Sequence, residues 1–485
     1  MSRFRVVVHV LSAVVIIFAI TMLLPLGLAL GLADGAQTAY DEAILITAAA
    51  GAIGWLATRG TSAELQTRDG FLLVVLVWTV LPAFATLPLL IFVPGLSFTD
   101  AYFETVAAMT TTGATTLSGL DALPASINVW RALLQWIGGM GIIVLTVAIL
   151  PLLGVGGSQL YRAETPGPMK EAKLTPRITE TAKGLWLVYF TITVVCLGAY
   201  RWAGMPWLDA LIHAFTTMSL GGYSNHDASF AHFNSPVIET VAIVFMLIAG
   251  INFGTHFLAW RKLSVRSYRA DPEAGLFVGV TVFSCVGVAA YLFGNGAYGD
   301  FWTALRFAAF NVVSIATTTG YASTDYNLWP VFAPLWMLFL CSFATCAGST
   351  GGGIKMIRAQ ILFKQVFREL LRIIHPKLYS PVKLAGQPVE NNVTFAVLAF
   401  SFVYVASIVS MMLLLTATGL DVLTALSAVV ACINNTGPGL NMVGPSATYA
   451  ALSDFQIWVL TFAMVLGRLE LFTLLVVLTP AFWRK

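Results

Sequence analysis

Long apolar runs separated by short polar stretches divide almost the whole chain. The clearest run, residues 70–93, reads GFLLVVLVWTVLPAFATLPLLIFV and contains no charged residue. Continuous runs of this length predict transmembrane helices, because membrane β-strands alternate apolar and polar positions. The pattern predicts two opening spans near 6–32 and 40–58. A unit then occurs four times, with a span, a short polar re-entrant segment and a second span.

This pattern predicts an all-α polytopic membrane protein with ten transmembrane helices. Two N-terminal transmembrane helices occupy residues 1–69, and four fused span–pore-loop–span repeats with pseudo-fourfold symmetry follow at 70–183, 184–274, 275–390 and 391–485. Composition agrees, because 58% of the residues are hydrophobic and only 10% are charged, against about 25% charged in soluble domains.

The distribution of basic residues predicts the orientation. All but four of the 26 lysines and arginines lie in segments that this layout places in the cytoplasm. Because basic residues favour the cytoplasmic side of short loops, both termini are predicted to be cytoplasmic. Segments 162–183, 261–269 and 355–383 are especially basic. This excess has two interpretations: an ordinary positive-inside bias, or a docking surface for a cytosolic subunit or anionic lipid.

The four re-entrant segments share one pattern, in which a polar or acidic start leads through a short amphipathic helix to a glycine. They read TDAYFETVAAMTTTGAT, LDALIHAFTTMSLGGYS, FWTALRFAAFNVVSIATTTGYAS and LDVLTALSAVVACINNTGPGL. Alignment places four glycines in register, separated by 109, 98 and 117 residues: Gly113, Gly222, Gly320 and Gly437. Asp100 and Asp209, each 13 residues before its glycine, are predicted N-caps. Such repetition predicts one structural unit used four times.

Four half-crossing helices of this kind favour a cation site. Each would point its partially negative C-terminus towards the membrane centre. The glycine permits the positive φ that turns carbonyl oxygens towards a common axis. Irregular backbone at this depth is tolerated only where it is buried in protein or lines a water-filled path, and a ring of carbonyls can replace the hydration shell of potassium. The alternative is that the loops are ordinary broken-helix turns packed between spans.

The four glycine loops and their flanking spans resemble the superfamily of Trk, Ktr and HKT potassium transporters over essentially the whole chain. The two extra N-terminal spans make the chain most similar to the membrane subunit of the bacterial Trk potassium-uptake system. The resemblance implies that potassium is held by carbonyl oxygens of the two residues before each filter glycine: Thr111, Thr112, Leu220, Gly221, Thr318, Thr319, Asn435 and Thr436.

The residues of the filter bear on the ion that it selects. Sodium-preferring plant relatives carry serine where this chain has Gly113, so the resemblance favours potassium. The sequences LGGYS and NTGPG depart from TTGYA, which predicts looser selectivity than four identical quarters would give.

The second span of the third repeat contains CAGSTGGGIK at 346–355. Each glycine in a helix costs about 1 kcal/mol relative to alanine, so a break is expected within the span. In the family, the resemblance implies an intramembrane loop that obstructs the pore below the filter. The alternative is that the glycines allow close helix packing. The candidate gate residues here are Gly348, Ser349, Thr350, Gly351, Gly352 and Gly353.

Arg468 is predicted to lie roughly 20 Å into the last span, where a charge is costly and usually faces a cavity. Gly141, Gly250 and Gly348 each follow their filter glycine by 28 residues, and Arg468 follows Gly437 by 31 after a longer connection. The spacing therefore places Arg468 at the equivalent position, projecting into the pore. The resemblance implies that it belongs to the gate; the alternative is an interhelical salt bridge.

The resemblance also implies the partners: a homodimer, in the bacterial cytoplasmic membrane, that binds a cytosolic ring of nucleotide-binding regulatory subunits, TrkA. Nothing in this chain resembles a nucleotide site, so no cofactor is expected beyond potassium as the transported ion, and a nucleotide would act through the partner. Four histidines show no metal-ligand spacing: His213, His226, His232 and His256.

A secondary symporter that couples potassium to protons or sodium is the main alternative, since broken helices at the membrane centre also serve that mechanism. A proton relay would need an intramembrane carboxylate, for which Glu104 and Glu470 are the nearest candidates. An intramembrane enzyme is disfavoured because HExxH and GxSxG motifs are missing from the sequence.

Overall fold

The computed structural model describes residues 2–60, 66–144, 178–378 and 380–484. Most of the basic segment predicted at 162–183 lies outside the described residues, as does Lys485. The described chain is mainly helical, with one short antiparallel hairpin, Lys383–Leu384 paired with Gln387–Pro388.

The N-terminal region contains the expected apolar helices. Ser2–Thr21 continues as Leu23–Leu32, and Gln37–Ala57 returns alongside it. The turn between them is held by Asp34, whose carboxylate accepts hydrogen bonds from the Ala36 N–H at 3.2 Å and the Ser126 N–H at 2.9 Å. This turn therefore joins the N-terminal pair to the first repeat.

Each of the four predicted repeats contains a first helix, a short helix that we call the pore helix, and one or two further helices. The first contains Thr67–Ala85, Leu87–Phe92, Phe98–Met109 and Ala125–Val144, and the second contains Ile178–Trp202, Trp207–Met218, Pro236–Ala249 and Phe253–Lys262. The third contains Ala274–Gly294, Phe301–Ala316, Phe332–Cys341 and Met356–Ile374, and the fourth contains Asn391–Ala417, Val422–Ile433, Asp454–Arg468 and Phe472–Leu478. Short helices Arg266–Ala270 and Pro480–Trp483 complete the described set.

The number of spans stays a prediction. Within the described ranges, five single spans are long and apolar enough to cross a membrane: Phe4–Leu32, Arg68–Phe92, Ala182–Trp202, Ala274–Gly294 and Asn391–Ala417. Two bent pairs raise the number to seven if each pair is one span, namely Pro236–Ala249 with Phe253–Lys262 and Asp454–Arg468 with Phe472–Leu478. The membrane character of the chain is clear, whereas the count of ten is neither confirmed nor contradicted.

The first two pore helices do not begin where the sequence predicts. Ser97 caps the first one by accepting a hydrogen bond from the Asp100 N–H at 3.0 Å. The second begins after Pro206, and Asp209 lies in its first turn. The prediction that Asp100 and Asp209 are N-caps is therefore wrong, because both lie one turn further along. There a carboxylate still complements the positive end of the helix dipole.

Acidic N-caps are found instead on the other two pore helices. The Asp300 carboxylate accepts a hydrogen bond from the Thr303 N–H at 2.9 Å, and that of Asp421 accepts one from the Thr424 N–H at 3.0 Å. Each bond satisfies one of the free amide groups at a helix N-terminus. All four pore helices therefore have a carboxylate either at the N-cap or within the first turn.

The pore helices form the centre of the molecule and the first helices of the repeats form its surface. The C-terminal halves of the pore helices are almost entirely buried. The first helices of the third and fourth repeats instead expose large apolar side chains such as Phe283 and Phe402, at 76% and 75%. An apolar exterior around a polar, buried centre is the arrangement expected of a membrane protein whose site lies inside it.

Candidate functional site

The four glycine loops adopt the same backbone conformation. Two positions before each glycine, a residue other than glycine has positive φ: Thr111 (54°), Leu220 (52°), Thr318 (59°) and Asn435 (53°). The glycines themselves also have positive φ: Gly113 (79°), Gly222 (76°), Gly320 (89°) and Gly437 (94°). A left-handed conformation in other residues costs on the order of 1–3 kcal/mol each. This conformation recurs two residues before each of the four aligned glycines, which agrees with the alignment of the four loops.

The amide groups of these loops fold back onto the pore helices. The residue before each glycine donates its N–H at 2.8 Å to the carbonyl five residues earlier: Thr112 to Ala107, Gly221 to Thr216, Thr319 to Ser314 and Thr436 to Ala431. These bonds satisfy free carbonyls at the helix C-termini. They also direct the amide donors away from the loops' own carbonyl oxygens, which remain available to another partner.

Each glycine lies against the backbone of the next loop in chain order. A methyl group on Gly113 would lie 2.1 Å from the carbonyl oxygen of Gly221. The corresponding distances are 1.9 Å from Gly222 to Thr319, 2.1 Å from Gly320 to Thr436 and 2.6 Å from Gly437 to Thr112. Because the fourth loop meets the first, the four loops close into a ring. We call residues 111–113, 220–222, 318–320 and 435–437 the filter ring.

The carbonyl oxygens of the filter ring are mostly without protein donors. Within the described residues, those of Thr112, Thr319 and Thr436 accept no hydrogen bond. Two oxygens of the ring are exceptions: that of Gly221 accepts a hydrogen bond from the Gln135 side-chain amide at 2.7 Å, and that of Gly437 accepts one from the Tyr449 hydroxyl at 2.7 Å. The C-termini of four pore helices also meet this ring, and each contributes partial negative charge. The arrangement is suited to a small cation and unfavourable to an anion.

One cavity of about 220 Å³ touches all four filter glycines. The rest of its lining comes from segments that follow the glycines along the chain, including Ser118, His226 and Thr448. We call this cavity the outer vestibule, because the predicted orientation places these segments on the extracellular side. The filter ring is therefore accessible from that side.

A loop interrupts the third repeat where the glycine-rich sequence predicts a break. The flanking helices end at Cys341 and begin at Met356. Gly348 and Gly353 have φ of 75° and 82°, which explains why glycine is needed at these two positions. The Ser349 hydroxyl donates a hydrogen bond to the Cys346 carbonyl at 2.6 Å. We call residues 346–355 the intramembrane loop.

The intramembrane loop packs directly against the filter ring and the pore helices. The Gly352 N–H donates to the Thr318 hydroxyl at 2.8 Å, and the Thr350 hydroxyl donates to the Met218 carbonyl at 3.1 Å. A methyl group on Gly352 would lie only 1.9 Å from the Asn434 carbonyl oxygen. The loop thus touches three of the four repeats on the opposite side of the ring from the outer vestibule.

Arg468 is buried beside the intramembrane loop, with 2% of its surface exposed. Its Nη1 donates to the Thr350 carbonyl at 2.9 Å and its Nη2 donates to the Gly138 carbonyl at 3.3 Å. Glu470 lies elsewhere and pairs with Arg358 at 2.8 Å. The described partners of Arg468 are therefore backbone carbonyls of two different repeats, so the contacts give no support to the salt-bridge alternative.

The positions that spacing equates with Arg468 lie in the same layer. Gly250 directly follows the helix Pro236–Ala249, which is bent by 92° relative to the next helix. Arg468 is the last residue of the helix Asp454–Arg468, which is bent by 116° relative to its successor. The Gly250 carbonyl accepts a hydrogen bond from the Cys346 N–H at 3.1 Å. Gly141, in contrast, lies inside the continuous helix Ala125–Val144. The equivalent positions therefore differ in local structure although they surround one region.

Sequence reasoning missed the residue that holds the intramembrane loop in place. The buried Glu273 carboxylate uses one oxygen to accept hydrogen bonds from the Ala347 N–H at 3.0 Å and the Ile357 N–H at 2.9 Å. It therefore joins the two ends of the loop. Lys355 was also overlooked: its side chain is buried and its ammonium donates to the Gly351 carbonyl. The only sequence signal for Glu273 is an acid at the start of an apolar span, two residues after Asp271.

Behind the first filter loop, Glu104 and Arg131 form a fully buried ion pair with a 2.7 Å separation. The Glu104 carboxylate also accepts hydrogen bonds from the Thr115 hydroxyl at 2.9 Å and the Thr116 N–H at 3.1 Å. The Arg131 guanidinium lies 4.2 Å from the Tyr223 ring centre. The pair braces the segment that follows Gly113, and its carboxylate is fully committed to these partners.

At the rim of the outer vestibule, two of the histidines come together with an acid. The His226 and His232 rings stack with centroids 3.6 Å apart, and Asp121 bonds to His226. Burial opposes the charged form of His226, but bonds to Asp209 and Asp121 raise its pKa above the usual value. The hydrogen bond with His226 lowers the pKa of Asp121. Linear spacing gave no sign of this cluster.

Comparison with known proteins identifies the family. Residues 37–485 match the model of the TrkH family, described as "Cation transport protein". The chain belongs to the TrkH family. The match is to a family of transporters, which confirms the prediction that the chain is not an enzyme. The description of the family names a cation but neither potassium nor a transport mechanism.

Two TrkH-family relatives and one solved structure show how far the similarity extends. The chain is 46% identical to the Trk system potassium uptake protein TrkH of Salmonella typhimurium, with 100% of both chains covered. It is 36% identical to TrkG of Escherichia coli, covering 100% of this chain and 99% of the relative. The crystal structure of the potassium transporter TrkH from Vibrio parahaemolyticus covers 99% of this chain and 100% of its own, with a TM-score of 0.91 and 42% identity.

Proposed function

We propose that this chain takes up potassium across the bacterial cytoplasmic membrane through a channel-like pore formed within one polypeptide. The closed filter ring carries this proposal, because it brings the carbonyls of four loops around one centre. The relatives are potassium uptake proteins of Trk systems by name, which supports the same substrate. Both termini are proposed to be cytoplasmic, as the distribution of basic residues predicts.

The ion is proposed to lie among the carbonyl oxygens of the filter ring. Oxygen atoms that accept no hydrogen bond from the protein can replace the hydration shell of a potassium ion. Thr112, Thr319 and Thr436 offer such oxygens within the described chain. The Gly221 oxygen is shared with Gln135, so we expect one quarter of the ring to bind the ion less strongly. Selectivity for potassium over sodium is expected to be moderate.

The gate is proposed to be the intramembrane loop held by Arg468. The loop lies across the inner side of the filter ring, and the arginine connects it to the first repeat. A buried guanidinium below the filter adds a positive charge that repels cations. Opening would then require the Arg468 bond to Thr350 to break, so that the loop can move aside.

A coupled symporter receives no specific support from the structure. The two carboxylates that the sequence offers as the nearest candidates for a proton relay are both engaged in ion pairs, Glu104 with Arg131 and Glu470 with Arg358. A channel predicts a current that reverses at the potassium equilibrium potential and is independent of pH. A shift of the reversal potential with the proton gradient would instead favour the symporter.

We also propose that the chain forms a homodimer and binds a cytosolic nucleotide-binding subunit of the TrkA type. Helix Met356–Ile374 exposes apolar side chains such as Phe363 (66%) and Ile373 (77%), which suit burial against a second copy. The exposed basic residues Arg261, Lys262 and Lys377 lie on the predicted cytoplasmic side and suit an acidic partner. Nucleotide would act through that partner.

Flux of radioactive rubidium into liposomes that contain the purified protein tests the function and the gate together. Wild-type protein should conduct rubidium, and potassium should compete with it more strongly than sodium. Arg468→Ala should raise the flux severalfold, because the hydrogen bonds to the Thr350 and Gly138 carbonyls and the buried positive charge are all lost. Arg201→Ala, which removes an exposed arginine away from the loop, serves as the control. Unchanged flux in Arg468→Ala would contradict the gating role.

A further inference from the structure

The outer vestibule carries a cluster of potential metal ligands that the transport mechanism does not use. Asp121 lies on a short 3-10 helix of the first repeat, and His226 and His232 lie in the loop after the second filter glycine. One ligand atom from each of the three residues can be chosen so that all lie within 4.8 Å of one another. Residues 105 positions apart in the chain therefore meet at one point.

The chemistry of these three side chains suits a borderline divalent metal ion. Two imidazoles and a carboxylate, with a fourth position left to water or another ligand, form a donor set that zinc commonly uses. Potassium and magnesium prefer all-oxygen surroundings. Asp209 Oδ2 lies 3.4 Å from His226 Nε2, the ring nitrogen that does not face Asp121, so it can orient the imidazole while the other nitrogen binds the metal ion.

The three side chains must move to bind a metal ion, and the exposed positions of Asp121 and His232 allow this. His226 Nδ1 and Asp121 Oδ1 are 2.5 Å apart, which is closer than two ligands on one metal ion would be. The Asp121 side chain is 50% exposed, so its carboxylate has room to withdraw. The two rings are nearly parallel, at 6° with centroids 3.6 Å apart, so one ring must rotate before a nitrogen of each can point at the same ion, and the exposed His232 side chain has room to do so. The metal ion would replace the direct contact between Asp121 and His226.

We propose that Asp121, His226 and His232 form an extracellular binding site for zinc or a similar transition-metal ion, and that occupancy reduces potassium passage. The ion would connect a loop of the first repeat to a loop of the second at the rim of the cavity above the filter ring. A divalent charge there would repel monovalent cations that approach the vestibule. The site itself is independent of the proposed function, whereas the effect on flux rests on it.

Zinc binding to the purified full-length protein, measured by isothermal titration calorimetry, tests the site directly. Loss of an outer-sphere partner alone typically weakens metal binding by about 10–100-fold, so loss of a ligand should weaken it by at least about tenfold. His226→Ala removes a ligand together with its bonds to Asp121 and Asp209. His232→Ala leaves those bonds intact and is the cleaner variant. His375→Ala, on an exposed cytoplasmic segment, should bind zinc as wild type does.

The same variants in liposomes test the effect on transport. Zinc added to the extracellular side should reduce rubidium flux through wild type and His375→Ala, and removal of zinc with EDTA should restore the flux. His232→Ala should be insensitive at the same zinc concentration. Absence of zinc binding to wild type, or equal affinity in all four proteins, would overturn the site. Equal inhibition of wild type and His232→Ala would overturn the proposed effect on passage. The calorimetry decides on the site even if no protein conducts rubidium.

Discussion

The filter ring and the layer directly beneath it are made from the same four repeats, yet they differ in symmetry. In the ring, the same pair of positive φ angles and the same backbone hydrogen bond recur in every repeat. Beneath it, the second helices take different forms. One is continuous through Gly141, one bends after Ala249, one is interrupted by the intramembrane loop and one ends at Arg468.

This difference agrees with the roles that we propose for the two layers, an ion site above and a barrier below. A site that surrounds a cation needs oxygen ligands on all sides. A change in one loop of the closed ring therefore disturbs the loops next to it. A barrier needs only one segment that lies across the path and one contact that holds it there. The lower layer can therefore accept a loop in a single repeat and a charge in another without loss of the ring above it.

The largest effect is expected from a side chain placed inside the ring. A methyl group at residue 222 would lie 1.9 Å from the Thr319 carbonyl oxygen, and φ there is 76°. The conformation alone costs alanine about 1–2 kcal/mol, and the clash must displace the third loop. We expect Gly222→Ala to lower rubidium flux in liposomes by at least about tenfold, since 1.4 kcal/mol in ion binding corresponds to that factor.

Gly419→Ala is the matched control for this experiment. Gly419 also has positive φ, 96°, but a methyl group there would meet nothing within 4 Å. It carries the conformational strain without the clash, so near-normal flux is expected. If Gly222→Ala elutes as a stable protein in detergent and conducts like wild type, the loops do not form a tight ring in the membrane. Equal loss in both variants would assign the effect to backbone strain alone.

A smaller effect is expected from the residue that joins the two ends of the intramembrane loop. Glu273→Ala leaves the Ala347 and Ile357 amides buried without their acceptor, at about 1–3 kcal/mol for each unsatisfied group. The loop should leave its blocking position more often. We expect a lower melting temperature and a rubidium leak, measured without the cytosolic partner, that rises by up to about tenfold for each 1.4 kcal/mol lost from the closed state.

Glu239→Ala tests whether loss of any buried acid has the same result. Glu239 is also buried and pairs with Arg306 at 2.6 Å, but it lies at the start of its helix, away from the intramembrane loop. This variant should lose stability without a leak. A leak of equal size in both variants would mean that general loosening, rather than release of the loop, opens the path.

Sequence alone was sufficient for features that repeat or that break a pattern. Four glycines in register leave a trace along the chain, so the four loops that meet in the ring could be located, and Gly348–Gly353 marked the helix break; the role of these loops in holding potassium stays a prediction. The 28-residue spacing placed Arg468 in the same layer as its equivalents. The cyclic order of the loops could not be predicted, because it depends on how the flanking helices pack. The number of spans is a prediction that the structure leaves open.

Contacts between distant residues were beyond sequence reasoning for a physical reason. Glu273 precedes Ala347 by 74 residues, and Asp121 precedes His226 by 105. Neither pair has a periodic pattern, and each acid alone resembles an ordinary residue at the end of a span. The caps of the first two pore helices were misplaced for a related reason. A serine and a proline three residues earlier start those helices, and spacing to the glycine cannot detect this.

The smallest effect is expected where the ring itself departs from symmetry. Gln135 donates to the Gly221 carbonyl at 2.7 Å and accepts a hydrogen bond from the Tyr223 N–H at 3.2 Å, which orients the second loop from behind. Gln135→Leu should keep the shape of the side chain but release that carbonyl. We expect flux to persist while the preference for potassium over sodium, measured by competition with rubidium, changes by a factor of about ten or less, equivalent to one net hydrogen bond of 0.5–1.5 kcal/mol.

Gln360→Leu is the matched change outside the ring, because the Gln360 amide donates to the Pro272 carbonyl at 3.1 Å on the predicted cytoplasmic side. Its selectivity should equal that of wild type. A changed preference in Gln135→Leu alone would show that the second quarter contributes to ion discrimination through a carbonyl that the protein already orients. If neither variant changes the preference, selectivity is determined by the three quarters in which the carbonyl before the glycine accepts no hydrogen bond from the described protein. Departure from symmetry would then be tolerated even within the ring.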